Sequence, residues 1–473
     1  MPGLGVREGQ YAAAQRNLYS RGLVTGMTAG SAVVPMPEVG AGQWERALRR
    51  VGRAASARTT PAKLRLLLMG VLALTALWAA VGAWTAAAHA SATENVLTVS
   101  EPLSLDAQQI YRSLSDADAT EAAAFLSGGL EPLALRHRYQ ADIAQAALRL
   151  EAATAAAGNS PARSRLAVLA AGLPVYTGLV ETARADNRVG LPLGAAYLRQ
   201  ASGYMRATLL PAARDLYARE NAQLAAADSQ AIGLPYFAVA IAVIAGIGLF
   251  WSQLWLTRQT RRLVNPGLLL ASIAGIVALI WLVSALSVAR SHLIFARDRG
   301  SAPVEALARV DIAVLQAHAD ESLTLIDRSG DDSFQADFLA LQQRLGPGRD
   351  TLLTVAAAVA HGSPGGSLAA SAARTVPAWF AVHKRVRVLD DNGHYTSAVR
   401  LAIGSRPADS GAFFRHIDTD LTGAMAADQA AFRTAALAGH GDLVGLEAGV
   451  VALSVLMAAS CIWGITRRLG EYR

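Results

Sequence analysis

Four long apolar runs constrain this 473-residue chain more than any other feature: Leu66–Ala88, Gly233–Leu256, Pro266–Ala289 and Leu443–Thr466. Each has the roughly 20 residues an α-helix needs to cross about 30 Å of hydrocarbon. Inside a bilayer every backbone N–H and C=O must find its partner within the segment, so each run is expected to be a helix. Three runs hold no charge, and the fourth holds only Glu447. Ala88-His89-Ala90 mimics a signal-cleavage site, but the run before it starts far into the chain and is too long for a signal core, so it is read as a retained anchor.

Charge sets the orientation. Residues 1–65, 257–265 and 467–473 carry 16 basic and four acidic residues, whereas 89–232 and 290–442 carry 27 basic and 31 acidic ones. The short loop holds Arg258, Arg261 and Arg262 and no acid. Arginine and lysine favour the cytoplasmic side, so both termini and this loop are expected inside. The domain plan is then a cytoplasmic leader (1–65), a span (66–88), an outer domain (89–232), a span (233–256), the loop (257–265), a span (266–289), a second outer domain (290–442), a span (443–466) and a tail (467–473). The expected location is the plasma membrane, as a multi-pass protein. The net charge of +7 reflects juxtamembrane arginine rather than a nucleic-acid surface; anionic lipid at the inner leaflet is the expected partner of that charge.

Both outer segments read as helices punctuated by Gly/Pro clusters. The first yields stretches near 89–127, 131–157, 161–187 and 195–231; the second yields 290–328, 332–361, 367–389 and 394–440. No breaker intervenes at Ala88/Ser91 or Ala289/Arg290, so helices are expected to run from the outer domains into spans. Tyr139-Gln140-Ala141-Asp142-Ile143 reappears as Phe334-Gln335-Ala336-Asp337-Phe338, and Pro174-Val175-Tyr176 as Pro377-Ala378-Trp379. Ordered matches at offsets near 200 indicate duplication. The expected fold is all-α: an integral membrane protein with four transmembrane helices and two extracytoplasmic four-helix bundles, a duplicated span-bundle-span unit. Tyr139 and Phe334 are the expected core anchors, and Asp142, Arg149, Asp337 and Arg344 are expected to pair with neighbouring helices, the alternative being contact with a ligand amine or carboxylate. Ala238, Ala242 and Gly246, with Gly445 and Gly449, permit close helix approach, within one chain or between copies in a homo-oligomer.

Enzyme chemistry has little to stand on. The chain has no GxSxG, HExxH or CxxC pattern and a single cysteine, Cys461, and its nine histidines lack metal-ligand spacing. No cofactor or metal site is expected, and Asp331-Asp332 and Asp390-Asp391 are read as turn and capping residues. The small cytoplasmic segments must hand any signal to another protein. Candidate output residues are Arg258, Arg261 and Arg262, with Trp44, Arg49 and Arg50 in the basic amphipathic stretch Trp44–Ala55. Glu447 is the candidate intramembrane polar residue, with snorkelling or pairing to Arg290 as the bland reading.

The run Glu101-Pro102-Leu103-Ser104, through Asp106-Ala107-Gln108, Tyr111-Arg112-Ser113-Leu114 and Ser115-Asp116-Ala117-Asp118-Ala119-Thr120 to Phe125-Leu126-Ser127-Gly128-Gly129, resembles the actinobacterial GlnX-type membrane sensor family. So does Thr60-Pro61-Ala62-Lys63-Leu64-Arg65-Leu66. The resemblance spans roughly 58–468, mostly as architecture, with the specific motif within about 60–130. It implies a non-enzymatic relay of extracellular amino acids, partnered by a glutamine-binding lipoprotein outside and a cytosolic protein kinase, protein kinase G, inside. No ligand residues come with the motif. The competing classes are a transporter or channel, disfavoured by nearly uncharged, unbroken spans, and a membrane scaffold without sensory role.

Overall fold

The computed structural model describes residues 60–128, 131–158, 161–233, 236–260, 265–327 and 332–470, and among these there is no strand. The first long helix, α1 (Thr60–Asn95), passes through one π-helical turn (Val96–Ser100) directly into α2 (Glu101–Leu126). Then follow α3 (Leu133–Ala156), α4 (Arg163–Arg188) and α5 (Leu193–Tyr204). A second π turn (Met205–Leu209) leads into α6 (Leu210–Ile232), and α7 is Tyr236–Thr260. The second half repeats the opening: α8 (Pro266–Ala296), a π turn (Arg297–Ser301) and α9 (Ala302–Ile326). After it come α10 (Ser333–Leu345), α11 (Leu352–Val359), α12 (Gly366–Asp391), α13 (Tyr395–Ile403), α14 (Ser410–Leu443) and α15 (Leu446–Gly470).

Each π turn is followed by a proline. Pro102, Pro211 and Pro303 sit just beyond the three turns, in the first positions of α2, α6 and α9. A proline has no N–H to give, and its ring clashes with the carbonyl four residues back, so the helix widens by one residue instead of breaking. The rods therefore stay continuous: Lys63–Leu126 and Pro266–Ile326 are unbroken helices of 64 and 61 residues. At 1.5 Å per residue each is about 90 Å long, roughly three times the hydrocarbon thickness.

Five helical stretches are long and apolar enough to cross a membrane. Four contain the four runs found in the sequence. The fifth, Arg163–Arg188, is α4, which buries Tyr176, Val180, Ala183 and Arg184 in the helical body. By contrast α7, α8 and α15 expose large apolar side chains, among them Phe250, Trp251, Ile276, Ile280 and Val455. Apolar surface this extensive marks a face made for lipid or another helix.

The two halves do not close on separate cores, as the expectation of two bundles had it. Ala107, Tyr139, Tyr176 and Leu216 of the first half share one buried cluster with Leu307, Phe338, Trp379 and Leu421 of the second. A second cluster beyond it joins Leu126 and Leu198 to Leu323 and Val386, and one near the spans joins Val96 and Leu224 to Leu293 and Phe432. The reason lies in α2 and α9, which pack against each other and are buried on nearly every face. Each is the central helix of its own half and the wall of the other.

Three further expectations need correction. The stretches 332–361 and 394–440 are each broken once, at Gly346-Pro347-Gly348 and around Gly404 and Pro407. The repeat register is off by one helical turn. Tyr139 packs on Tyr176 with ring centroids 6.5 Å apart, and the matching pair is Phe338 on Trp379 at 6.0 Å, so Phe338, fully buried, is the counterpart of Tyr139 and Phe334 is only half-buried. Finally, α14 does not run straight into α15, because Val444 is extended and Gly445 adopts φ +80°.

Candidate functional site

The α2–α9 seam is polar where a bundle core is usually apolar. From α2, Arg112 donates to Asp311 on α9 at 2.9 Å and to Asp418 on α14 at 2.6 Å, and lies 3.5 Å from Asp116 one turn on. Arg138 on α3 closes the ring, reaching Asp116 at 2.9 Å and Asp418 at 2.8 Å. Burial works against the Arg112 charge, but Asp311, Asp418 and Asp116 outweigh it, so its guanidinium is held above the ordinary range. Asp311 goes the other way. Burial, opposed by Arg112, leaves its carboxyl raised to about 7. Facing this ring from α3 is Asp142, one of whose carboxyl oxygens is buried without a hydrogen bond.

Further from the spans, Arg206 in the second π turn bonds Asp320 of α9 and lies 3.7 Å from Asp118 of α2 and 3.6 Å from Asp337 of α10. Arg199 reaches Asp327 at 2.6 Å, and near the spans Arg433 of α14 reaches Glu101 of α2 at 2.9 Å. Most of the described cross-half pairs put the cation in the first half and the carboxylate in the second. Buried ionic groups stabilise less than apolar packing does, but losing one partner strands the other, so such a seam holds the halves in one register.

Beside Arg206 the halves part to leave a cavity of about 840 Å³, within the usual size range for small-molecule sites. Tyr111 of α2, Arg214 of α6, Gln316 of α9 and Arg344 of α10 line it. Burial pushes the Tyr111 hydroxyl up, opposed by a hydrogen bond with Gln316 and by the Arg214 and Arg344 charges. Both guanidinium groups therefore act on the same hydroxyl from opposite walls.

The residues singled out in the sequence lie elsewhere. Arg258 is exposed at the end of α7; Arg261, Arg262, Trp44, Arg49 and Arg50 lie outside the described residues. Glu447 is exposed in the first turn of α15, and Arg290 donates to the Ile232 carbonyl at 3.2 Å rather than pairing with it. Of the repeated charges, Arg149 does pair, with Asp106 at 2.9 Å, while Arg344 faces the cavity. Asp390 and Asp391 both bond Arg387. The seam carboxylates had a signal in the sequence: Asp116, Asp118, Asp311 and Asp320 stand in otherwise alanine- and leucine-rich helices, where an acid facing water on one stripe would be spaced by threes and fours.

Comparison with known proteins adds one finding. Residues 92–229 match the family model Actinobacterial sensor domain. The matched segment runs from the last turn of α1 through α6 and so contains the first-half side of the seam. No curated protein and no solved structure matches the chain. The match supports an actinobacterial sensor protein, and the long apolar helices are compatible with a membrane protein.

Proposed function

We propose that this chain is a non-enzymatic, four-span transmembrane relay that senses extracellular amino acids, directly or through a binding lipoprotein, and passes the signal to a cytosolic kinase. One observation carries it. The two helices that form the seam, α2 and α9, are the same rods that enter the spans as α1 and α8, with no loop between. A change at the seam is thereby a change in the spans. A ligand shifts such an equilibrium only by its differential affinity for the two states, and a coupling of about 1–3 kcal/mol is the usual range. On this reading α4 belongs to the outer body, both termini face the cytoplasm, and Arg258, Arg261, Arg262 and the Trp44–Ala55 stretch are where the kinase, and anionic lipid, meet the protein.

Pulldown of cytosolic proteins by the full chain, from cells given or denied extracellular amino acids, tests the reading. Kinase capture is expected to change with the amino acids. The triple variant Arg258→Gln, Arg261→Gln, Arg262→Gln is expected to lose that response while keeping its orientation. Capture that ignores the amino acids would leave a scaffold rather than a relay.

A further inference from the structure

The cavity between the halves has an unusual charge arrangement. Four arginines and three carboxylates line it. The carboxylates are already answered: Glu305 bonds Arg309, and Asp320 and Asp337 both face Arg206. Among the described residues no carboxylate lies within ion-pair distance of Arg214 or Arg344. These two stand on different halves, Arg214 on α6 and Arg344 on α10, with Tyr111 and Gln316 also lining the space. Leu210, Leu341 and Leu352 supply an apolar lining beside them.

We propose that this cleft binds a small dianion, a dicarboxylate or a phosphate, whose charge is shared between Arg214 and Arg344, with the Tyr111 hydroxyl as a third contact. A monoanion satisfies one wall; a dianion satisfies both. Since the walls belong to different halves, occupancy draws α6 toward α10 across the α2–α9 seam. A planar guanidinium forms paired hydrogen bonds with carboxylate or phosphate oxygens, which is why arginine rather than lysine suits the role. The inference rests on the relay reading for its consequence, but not for the binding itself.

The test is calorimetric titration of the full chain in lipid nanodiscs with succinate, inorganic phosphate and acetate at pH 7.5. Succinate or phosphate is expected to bind at least tenfold more tightly than acetate, and whichever of the two binds identifies the source of the charge. Arg214→Gln and Arg344→Gln, both exposed positions whose loss leaves the core intact, are each expected to weaken binding tenfold or more. Arg219→Gln, exposed on α6 outside the cleft, is expected to leave it unchanged. Acetate binding as tightly as the dianions, no binding by any probe, or an equal effect of Arg219→Gln overturns the proposal. If the dianion binds as described while kinase capture ignores it, the cleft stands and the relay reading fails. If no probe binds while capture still follows amino acids, the relay stands and the cleft assignment fails.

Discussion

Asp142 on α3 lies among Asp116, Arg138, Arg112 and Asp418. Burial, and then the Asp116 charge, push its carboxyl up to about 8 against the opposing pull of Arg138 and Arg112. The unfolded chain releases this proton near pH ~4, whereas the folded chain keeps it to about 8. In that window the folded state binds more protons, so the Asp142 contribution is intact below pH ~4 and is lost as pH rises through the folded value. Asp142→Asn keeps the shape and stays neutral. It is expected to raise the melting temperature at pH 8 more than at pH 5, measured by circular dichroism in detergent; equal changes at both pH values would count against the assignment. Arg112 faces the opposite situation, because its removal strands the buried Asp311, while Asp418 keeps Arg138. Arg112→Ala is expected to destabilise the fold by about 3–5 kcal/mol, as loss of one partner of a buried pair does, while a cost within the range of a surface substitution would mean the ring is not a structural tie.

At the scale of elements, the three prolines beyond the π turns make a distinct prediction. Pro102→Ala and Pro303→Ala restore an N–H and remove the ring clash, so the turns at 96–100 and 297–301 should tighten to α-helix. Hydrogen exchange across these turns is expected to slow in both variants; unchanged exchange would mean another force sets the widened turn. Gly300, within the third turn, has a packing role instead, because a Cβ there would meet Phe432 Cβ at 2.6 Å. The repeat also predicts which aromatic anchors matter. Tyr139→Ala and Phe338→Ala are each expected to cost about 3–5 kcal/mol, the range for core aromatics. Phe334→Ala should cost clearly less, since that ring is half-buried beneath the Arg206 guanidinium, 5.3 Å from its centroid. Equal losses at 334 and 338 would restore the original register.

For the molecule as a whole, the orientation is the exposed claim. With Cys461 replaced by Ala, a cysteine at His361, exposed on the outer body, is expected to react with a membrane-impermeant thiol reagent in intact cells. One at Thr257, next to the loop arginines, is expected to react only after lysis. The reverse pattern would invert the positive-inside reading. The shared core has its own consequence. A protein whose halves share three buried clusters should unfold its outer body in one transition, and neither half should be stable when expressed alone between its spans.

Helix was legible from the sequence because it rests on local facts: apolar run length, Gly/Pro punctuation and the absence of strand-forming alternation. The long apolar helices were legible for the same reason, and Pro174 and Pro377, each with an aromatic residue two beyond it, fall in long helices of the two halves. Periodicity could not tell Phe334 from Phe338, because residues one turn apart share a helix face and the choice between them is made by the partner ring. Nor could it find the seam. Arg112 and Asp311 are 199 residues apart, and whether a carboxylate on a helix faces water or a guanidinium from the other half depends on the packing of α2 against α9. Local chemistry made the rods; only their tertiary contact turned scattered charges into a ring between the halves and left Arg214 and Arg344 facing one cleft.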